Sequence, residues 1–137
     1  MTRRPEACPA ATTVGAGSDD VAVASIDDFA ALAAQLPAVA SSDHGRYLRW
    51  QAGGKTFAYL WPATETVGLK QTIAEQLALV GERPEVFEVQ FTAGGYGWVV
   101  VRLAGVDRTE LAELTFEAWR LSAPSAVVAE RDDRLPR

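Results

Sequence analysis

Hydrophobic and polar positions alternate most cleanly on either side of Gly53-Gly54. Two glycines between the β-rich runs Arg46–Ala52 and Lys55–Trp61 predict a two-residue hairpin, because a type I′ turn needs φ > 0 at both central positions. That turn sets a register in which Ala52 faces Lys55, Trp50 faces Phe57, Leu48 faces Tyr59 and Arg46 faces Trp61. A period of two then puts Leu48, Trp50, Phe57, Tyr59 and Trp61 on one face. Tyr47, Arg49, Gln51, Thr56 and Ala58 fall on the other, and Leu60 breaks the pattern. One apolar and one mixed face predict an antiparallel sheet covered by helices on one side.

The remaining elements follow from caps and periodicity. Ser25-Ile26-Asp27-Asp28 resembles a capping box, and Phe29, Leu32, Ala33 and Leu36 follow at helical spacing until Pro37. Ser41 to Gly45 reads as a loop, Pro62 to Glu65 as a turn, and Thr66 to Lys70 as a third strand. Thr72-Ile73-Ala74-Glu75 caps a second helix whose apolar side is Ile73, Leu77 and Val80, with Gly81 and Pro84 ending it. Glu85 to Thr92 predicts a strand with Phe87, Val89 and Phe91 on one face. After Ala93-Gly94-Gly95, the strand Tyr96–Leu103 sets Val99, Val101 and Leu103 against Tyr96, Trp98, Val100 and Arg102. Asp107 begins a third helix with the stripe Leu111, Leu114, Ala118 and Leu121, while Phe116 and Trp119 predict a second contact. The expected fold class is α+β: two layers, a five-stranded and mainly antiparallel sheet, order α-β-β-β-α-β-β-α. Residues 1–24 read as a disordered tail, 25–124 as the domain and 125–137 as a charged tail.

Composition narrows the class. The chain has 137 residues, 48% of them hydrophobic, a formal net charge of -5 and a pI of about 4.8. One globular domain is expected, and the charge weighs against a strong polyanion binder, which needs clustered Lys and Arg. Cys8 is the single cysteine and has no internal partner. Arg3-Arg4 is followed by no apolar segment of a targeting signal, and no run approaches membrane-spanning length, so a cytoplasmic location without a membrane partner is expected. Gly15-Ala16-Gly17 lacks both the preceding strand and the third glycine of a dinucleotide loop.

Catalytic signals are sparse. His44 is the only histidine and follows Asp43; an Asp–His pair can orient a general base, but no Ser or Cys partner is identifiable, and a solvated loop explains it. Cys8 and His44 are far apart and form no metal-ligand cluster. Glu110, Glu113 and Glu117 recur at helical spacing, as a solvated helix face does. The sequence therefore reads as non-catalytic, with no cofactor and no metal.

GKTFAYLW, TVGLK, a capped helix ending in ERPEVF, GGYGWVVVRL and VDRTELAELTFEAWRL together resemble the MmcQ/YjbR family over roughly Ile26 to Pro124. Matching positions include Lys55, Phe57, Ala58, Leu69, Lys70, Trp98 and Val100. The loop Thr92–Gly95 carries no basic residue, where some relatives have a basic or histidine-containing one. The resemblance implies a secretion-chaperone-like or CyaY-like fold and a DNA-binding role. With helices on one side, Tyr47, Arg49, Lys70, Tyr96, Trp98 and Arg102 share the open sheet face. Aromatic rings beside cations suit base stacking, a protein contact, or burial under a helix or loop. The expected nucleic-acid site is Arg49, Lys70 and Arg102 for phosphates and Trp98 for stacking. The alternatives are a protein-interaction or chaperone-like adaptor and a small-molecule binder.

Overall fold

The computed structural model describes residues 23–137, so Cys8, Gly15-Ala16-Gly17 and residues 1–22 of the expected tail 1–24 lie outside the described residues. Helix α1 (Ile26–Ala34) starts at Ser25, whose hydroxyl accepts from the Asp28 backbone while the Asp28 carboxylate accepts from the Ser25 backbone. This reciprocal cap is the one its sequence encodes. Four strands follow, β1 (Val39–Asp43), β2 (Leu48–Ala52), β3 (Lys55–Trp61) and β4 (Thr66–Thr72), then α2 (Ile73–Glu82), β5 (Phe87–Ala93) and β6 (Tyr96–Arg102). A 3-10 turn at Leu103–Gly105 leads into α3 (Arg108–Arg120) and α4 (Ser125–Arg131). Thr72 and Asp107 cap α2 and α3 through their side chains.

Among the described residues the sheet has six antiparallel strands in the order β1-β2-β3-β4-β6-β5, not the expected five. The additional strand is β1, in a segment partly read as a loop because Ser41, Ser42 and Asp43 have low β propensity. Its ladder to β2 makes it an edge strand, with Val39 opposite Ala52 and Ser42 opposite Arg49. The element order is accordingly α-β-β-β-β-α-β-β-α-α. Ser125–Arg131, within the segment read as a charged tail, forms α4, and the Arg137 backbone hydrogen-bonds Gln35 and Arg108. Ala24, at the end of the expected N-terminal tail, is buried and donates its N–H to the Val106 carbonyl.

The turn at Gly53-Gly54 has φ of +58° and +86°, as a type I′ turn requires. A side chain at Gly53 would also run into Pro124, 2.7 Å away. The hairpin register holds only for Ala52–Lys55 and Gln51–Thr56. Beyond that, an extra residue in β3 shifts it, so Trp50 faces Ala58, Arg49 faces Tyr59 and Leu48 faces Leu60. This β-bulge corrects the expected Trp50–Phe57 pair. Phe57 and Ala58 both turn into the core, Leu60 follows, and Tyr59 and Trp61 move to the opposite face.

One apolar core lies between the sheet and the helices α1 and α3. Phe29 meets Trp50 edge-on, at 4.9 Å and 82°. Phe116 and Trp119, off the main stripe of α3, are buried, and the Trp119 indole N–H donates to the Pro37 carbonyl. Helix α2 crosses β5 and β6 in an orientation its apolar spacing does not predict. Gln76 is buried, at 2% exposure, whereas Ile73 and Leu77 are 40% and 63% exposed. The Gln76 amide donates to the Trp98 carbonyl at 2.9 Å and the Phe91 carbonyl at 3.1 Å, bridging β6 and β5. Gly97 makes room for it: a Cβ there would lie 2.7 Å from Gln76. The bridge sits where β5 slips register at Gln90, a second bulge that turns Phe91 to the opposite face from Phe87 and Val89. Among the described residues, no helix is long and apolar enough to cross a membrane.

Candidate binding surface on the open sheet face

Cross-strand pairing lays out the face opposite the helices in rows. One row runs Ser42, Arg49, Tyr59, Gly68, Val100 and Glu88 from β1 to β5. Lys70, Trp98 and Phe91 form a second across β4, β6 and β5. Trp61, Thr66 and Arg102 form a third across β3, β4 and β6. The backbone therefore brings all four sequence-predicted site positions, Arg49, Lys70, Trp98 and Arg102, to one face. Three cations share these rows with a single carboxylate, Glu88. The surface is locally positive on an acidic chain.

The rings form a connected series. Tyr47 lies 5.7 Å from Tyr59, which lies 6.0 Å from Trp61 and 5.4 Å from Trp98. Trp98 in turn lies 5.2 Å from Phe91. These are ordinary aromatic pair distances. Trp98 is only 6% exposed, so its ring supports Tyr59 and Phe91 from below. Tyr47, Tyr59 and Trp61 are part-exposed and Phe91 is exposed, and these rings present the accessible surface. The open face is thus aromatic without being covered by a helix. Gly68 lets Gln90 and Trp61 close over the middle of the sheet, where a Cβ would project into them.

The cations differ in how far they are committed. Lys70 donates to the Ser122 hydroxyl at 3.1 Å and sits 4.2 Å from the Tyr96 ring centre. Burial, with Lys55 nearby, lowers its ammonium below the ordinary lysine value. Arg102 is paired with Glu88 at 3.0 Å, an exposed pair that breaks at little cost. Among the described residues Arg49 forms no ion pair, and its Nε is buried without a hydrogen-bond partner. Its covered Nε is out of reach of solvent, so the terminal nitrogens of the guanidinium, beside the tyrosine rings, are the donors this residue offers to an anion.

The other candidate chemistry resolves into local contacts. His44 hydrogen-bonds Ser42 through Nε2 at 2.8 Å and stacks on Tyr47 at 5.0 Å, while Asp43 accepts from the Gly45 N–H. The Asp43 carboxylate thus engages the turn backbone. Glu110 pairs with Arg83 and Glu117 with Arg120. Among the described residues, no group of three or more His, Cys, Asp or Glu is placed to hold a metal ion.

Tyr59, Trp61 and Phe91 are the surface residues that period-two counting assigns elsewhere. The signal was Leu60, the apolar residue on the wrong face: one bulge before it restores Ala58 and Leu60 to the core and exports Tyr59 and Trp61. No comparable exception marks Gln90.

A model of the YjbR family matches residues 34–121. Uncharacterized proteins of Mycobacterium bovis and Mycobacterium tuberculosis are 34% identical over 68 residues, 49% of this chain and 53% of theirs. The chain spans about half the length of the curated relatives it matches. The crystal structure of a Deinococcus radiodurans protein with a DUF419 domain has a TM-score of 0.64, at 19% identity, covering 79% of this chain and 88% of that one. That likeness shows the shared fold. With the family model spanning most of the sheet and α3, the chain belongs to the YjbR family.

Proposed function

We propose that this protein is a non-catalytic binding module that receives nucleic acid, DNA in the first instance, on its open sheet face. The observation that carries this reading is the part-exposed series Tyr47, Tyr59 and Trp61 beside Arg49, on a face whose rows set three cations against Glu88, with Glu65 lining the same hollow as Arg102. Aromatic rings take bases by stacking and the guanidinium takes a phosphate oxygen. Arg102 is the further phosphate contact once it gives up Glu88, and Lys70, tied to Ser122 and Tyr96, adds positive charge beside the site. Trp98 acts mainly as the support under Tyr59. The acidic total charge limits the affinity, so the local field decides where an anion lands.

Anisotropy of fluorescently labelled DNA, titrated with the protein at low salt, tests this. Saturable binding is expected, weakened about tenfold or more by Arg49→Glu, which replaces a charge-assisted contact by repulsion. No binding, or equal binding by an Arg49→Glu variant with an unchanged circular dichroism melt, would refute it. A second reading, a protein-interaction adaptor, is favoured by one observation: Ile73 and Leu77 on α2 and Val89 on β5 are large apolar residues left exposed. Under that reading Leu77→Asp abolishes partner capture, and DNA is not bound.

A further inference from the structure

The geometry points to single-stranded nucleic acid, rather than duplex, as the ligand of the open face; this inference rests on the nucleic-acid reading above. Ring faces are useful only to a base whose own face is bare. In a duplex the bases are stacked on each other, and only their edges and the phosphates are presented. Single strands offer splayed bases that stack on Tyr, Trp and Phe side chains.

The shape of the surface agrees. A duplex groove is entered by a protruding helix or a two-stranded ribbon. Here α1 and α3 pack against the core on the opposite side of the sheet. On the open face the backbone at Gly68 is covered by the side chains of Gln90 and Trp61, which leaves no ridge there. Nothing among the described elements of this face projects as a reading helix.

Charge points the same way. Duplex binding rests on many phosphate contacts, whereas Lys70 is engaged with Ser122 and Tyr96, and Arg102 with Glu88. Among the described residues Arg49 is left as the cation of this face without an ion pair or ring contact of its own. A site with one or two phosphate contacts and several rings draws its affinity from stacking, with correspondingly weak salt dependence. Tyr59 and Trp61 on β3 and Tyr47 just before β2 form a series of neighbouring rings, which two or three bases fill, as on other aromatic sheet surfaces. Stacking on ring faces does not involve the sugar, so DNA and RNA share this chemistry.

The test is one set of anisotropy titrations with labelled oligonucleotides of about ten units, a length within the span of single-strand sites. Single-stranded DNA, RNA of the same sequence and the matching DNA duplex are compared between about 50 and 200 mM salt. Single strands are expected to bind at least about tenfold tighter than duplex, with a log–log salt slope between about −0.7 and −1.4. Trp61→Ala and Tyr59→Leu are each expected to weaken single-strand binding roughly 5- to 150-fold while leaving the salt slope unchanged. Tyr59→Leu retains apolar packing, and Tyr59→Phe restores affinity if the ring is what matters. Tighter binding of either sugar type supports the proposal and names the source. Duplex bound as tightly as single strands, or single-strand affinity indifferent to both ring variants, overturns it while leaving the nucleic-acid reading intact. Absence of binding to all three probes overturns both.

Discussion

Replacing Gln76 by Met probes the feature of this fold least expected from its sequence. Met is as long as Gln, unbranched and a comparable helix former, so Gln76→Met removes the amide without opening a large cavity. Two acceptors lose a donor. The Trp98 carbonyl is bonded in a buried setting, and leaving it unmet costs about 1–3 kcal/mol. The Phe91 carbonyl is part-buried, and its loss costs about 0.5–1.5 kcal/mol. Burying a thioether instead of an amide returns about 1 kcal/mol. The net expectation is a loss of roughly 1–3 kcal/mol, read as a lowered urea midpoint at unchanged slope. The neighbouring Leu77→Gln provides the control. Leu77 is largely exposed, so this change is expected to stay within about 0.5 kcal/mol. The reverse ranking, with Gln76→Met neutral and Leu77→Gln costing more than about 1 kcal/mol, would refute the argument. It would mean that α2 is rotated to bury the apolar side that sequence periodicity favours.

Two further outcomes follow from the packing and the electrostatics. Trp50→Ala empties a buried site against Phe29 and is expected to cost about 3–5 kcal/mol in the same urea assay; a loss of a few tenths would place Trp50 outside the core. Burial acts to raise the Asp28 carboxyl, but hydrogen bonds from the Ser25 backbone, Arg108 and the Ser25 hydroxyl outweigh it, leaving Asp28 below its ordinary value of 3.8. A depressed carboxylate stabilises the fold above its unfolded value and loses that contribution as pH falls through the folded one. Urea midpoints from about pH 5 down to pH 2 should therefore decline less steeply in Asp28→Asn than in the parent, and parallel profiles would count against the Arg108 and Ser25 contacts.

The parts of the fold set by local chemistry were legible. Ser25, Thr72 and Asp107 each cap the helix their spacing announces, and Gly53-Gly54 makes the turn that paired glycines demand. The core side of β6 was also clear, because Val99, Val101 and Leu103 keep an unbroken alternation. Features decided by tertiary pairing were not. Strand β1 is held by its ladder to β2 despite the polar run Ser41 to Asp43. The insertion of β6 between β4 and β5 leaves no mark on local periodicity. Each bulge inverts the sides of the residues after it, so Tyr59 and Trp61 were read as core and Phe91 was grouped with Val89. Arg49, Lys70, Trp98 and Arg102 were brought to a common face because they lie on the unaffected side of those bulges. Their ranking needed coordinates: the cover over Trp98, the ties on Lys70 and Arg102, and the unmet donor of Arg49 are long-range facts.

Nitrogen-15 NMR of the protein during titration with a short single-stranded oligonucleotide tests the central claim most directly. The four tryptophan indoles act as built-in reporters on two sides of one sheet. Trp61 and Trp98, the support of Tyr59, belong to the open face, whereas Trp50 and Trp119 are buried in the core. The account predicts concentration-dependent shifts for the Trp61 and Trp98 indoles and for the amides of Tyr47, Arg49 and Tyr59, with Trp50 and Trp119 still. Shifts centred instead on Ile73, Leu77 and Val89, or no shifts at any oligonucleotide concentration, would contradict it.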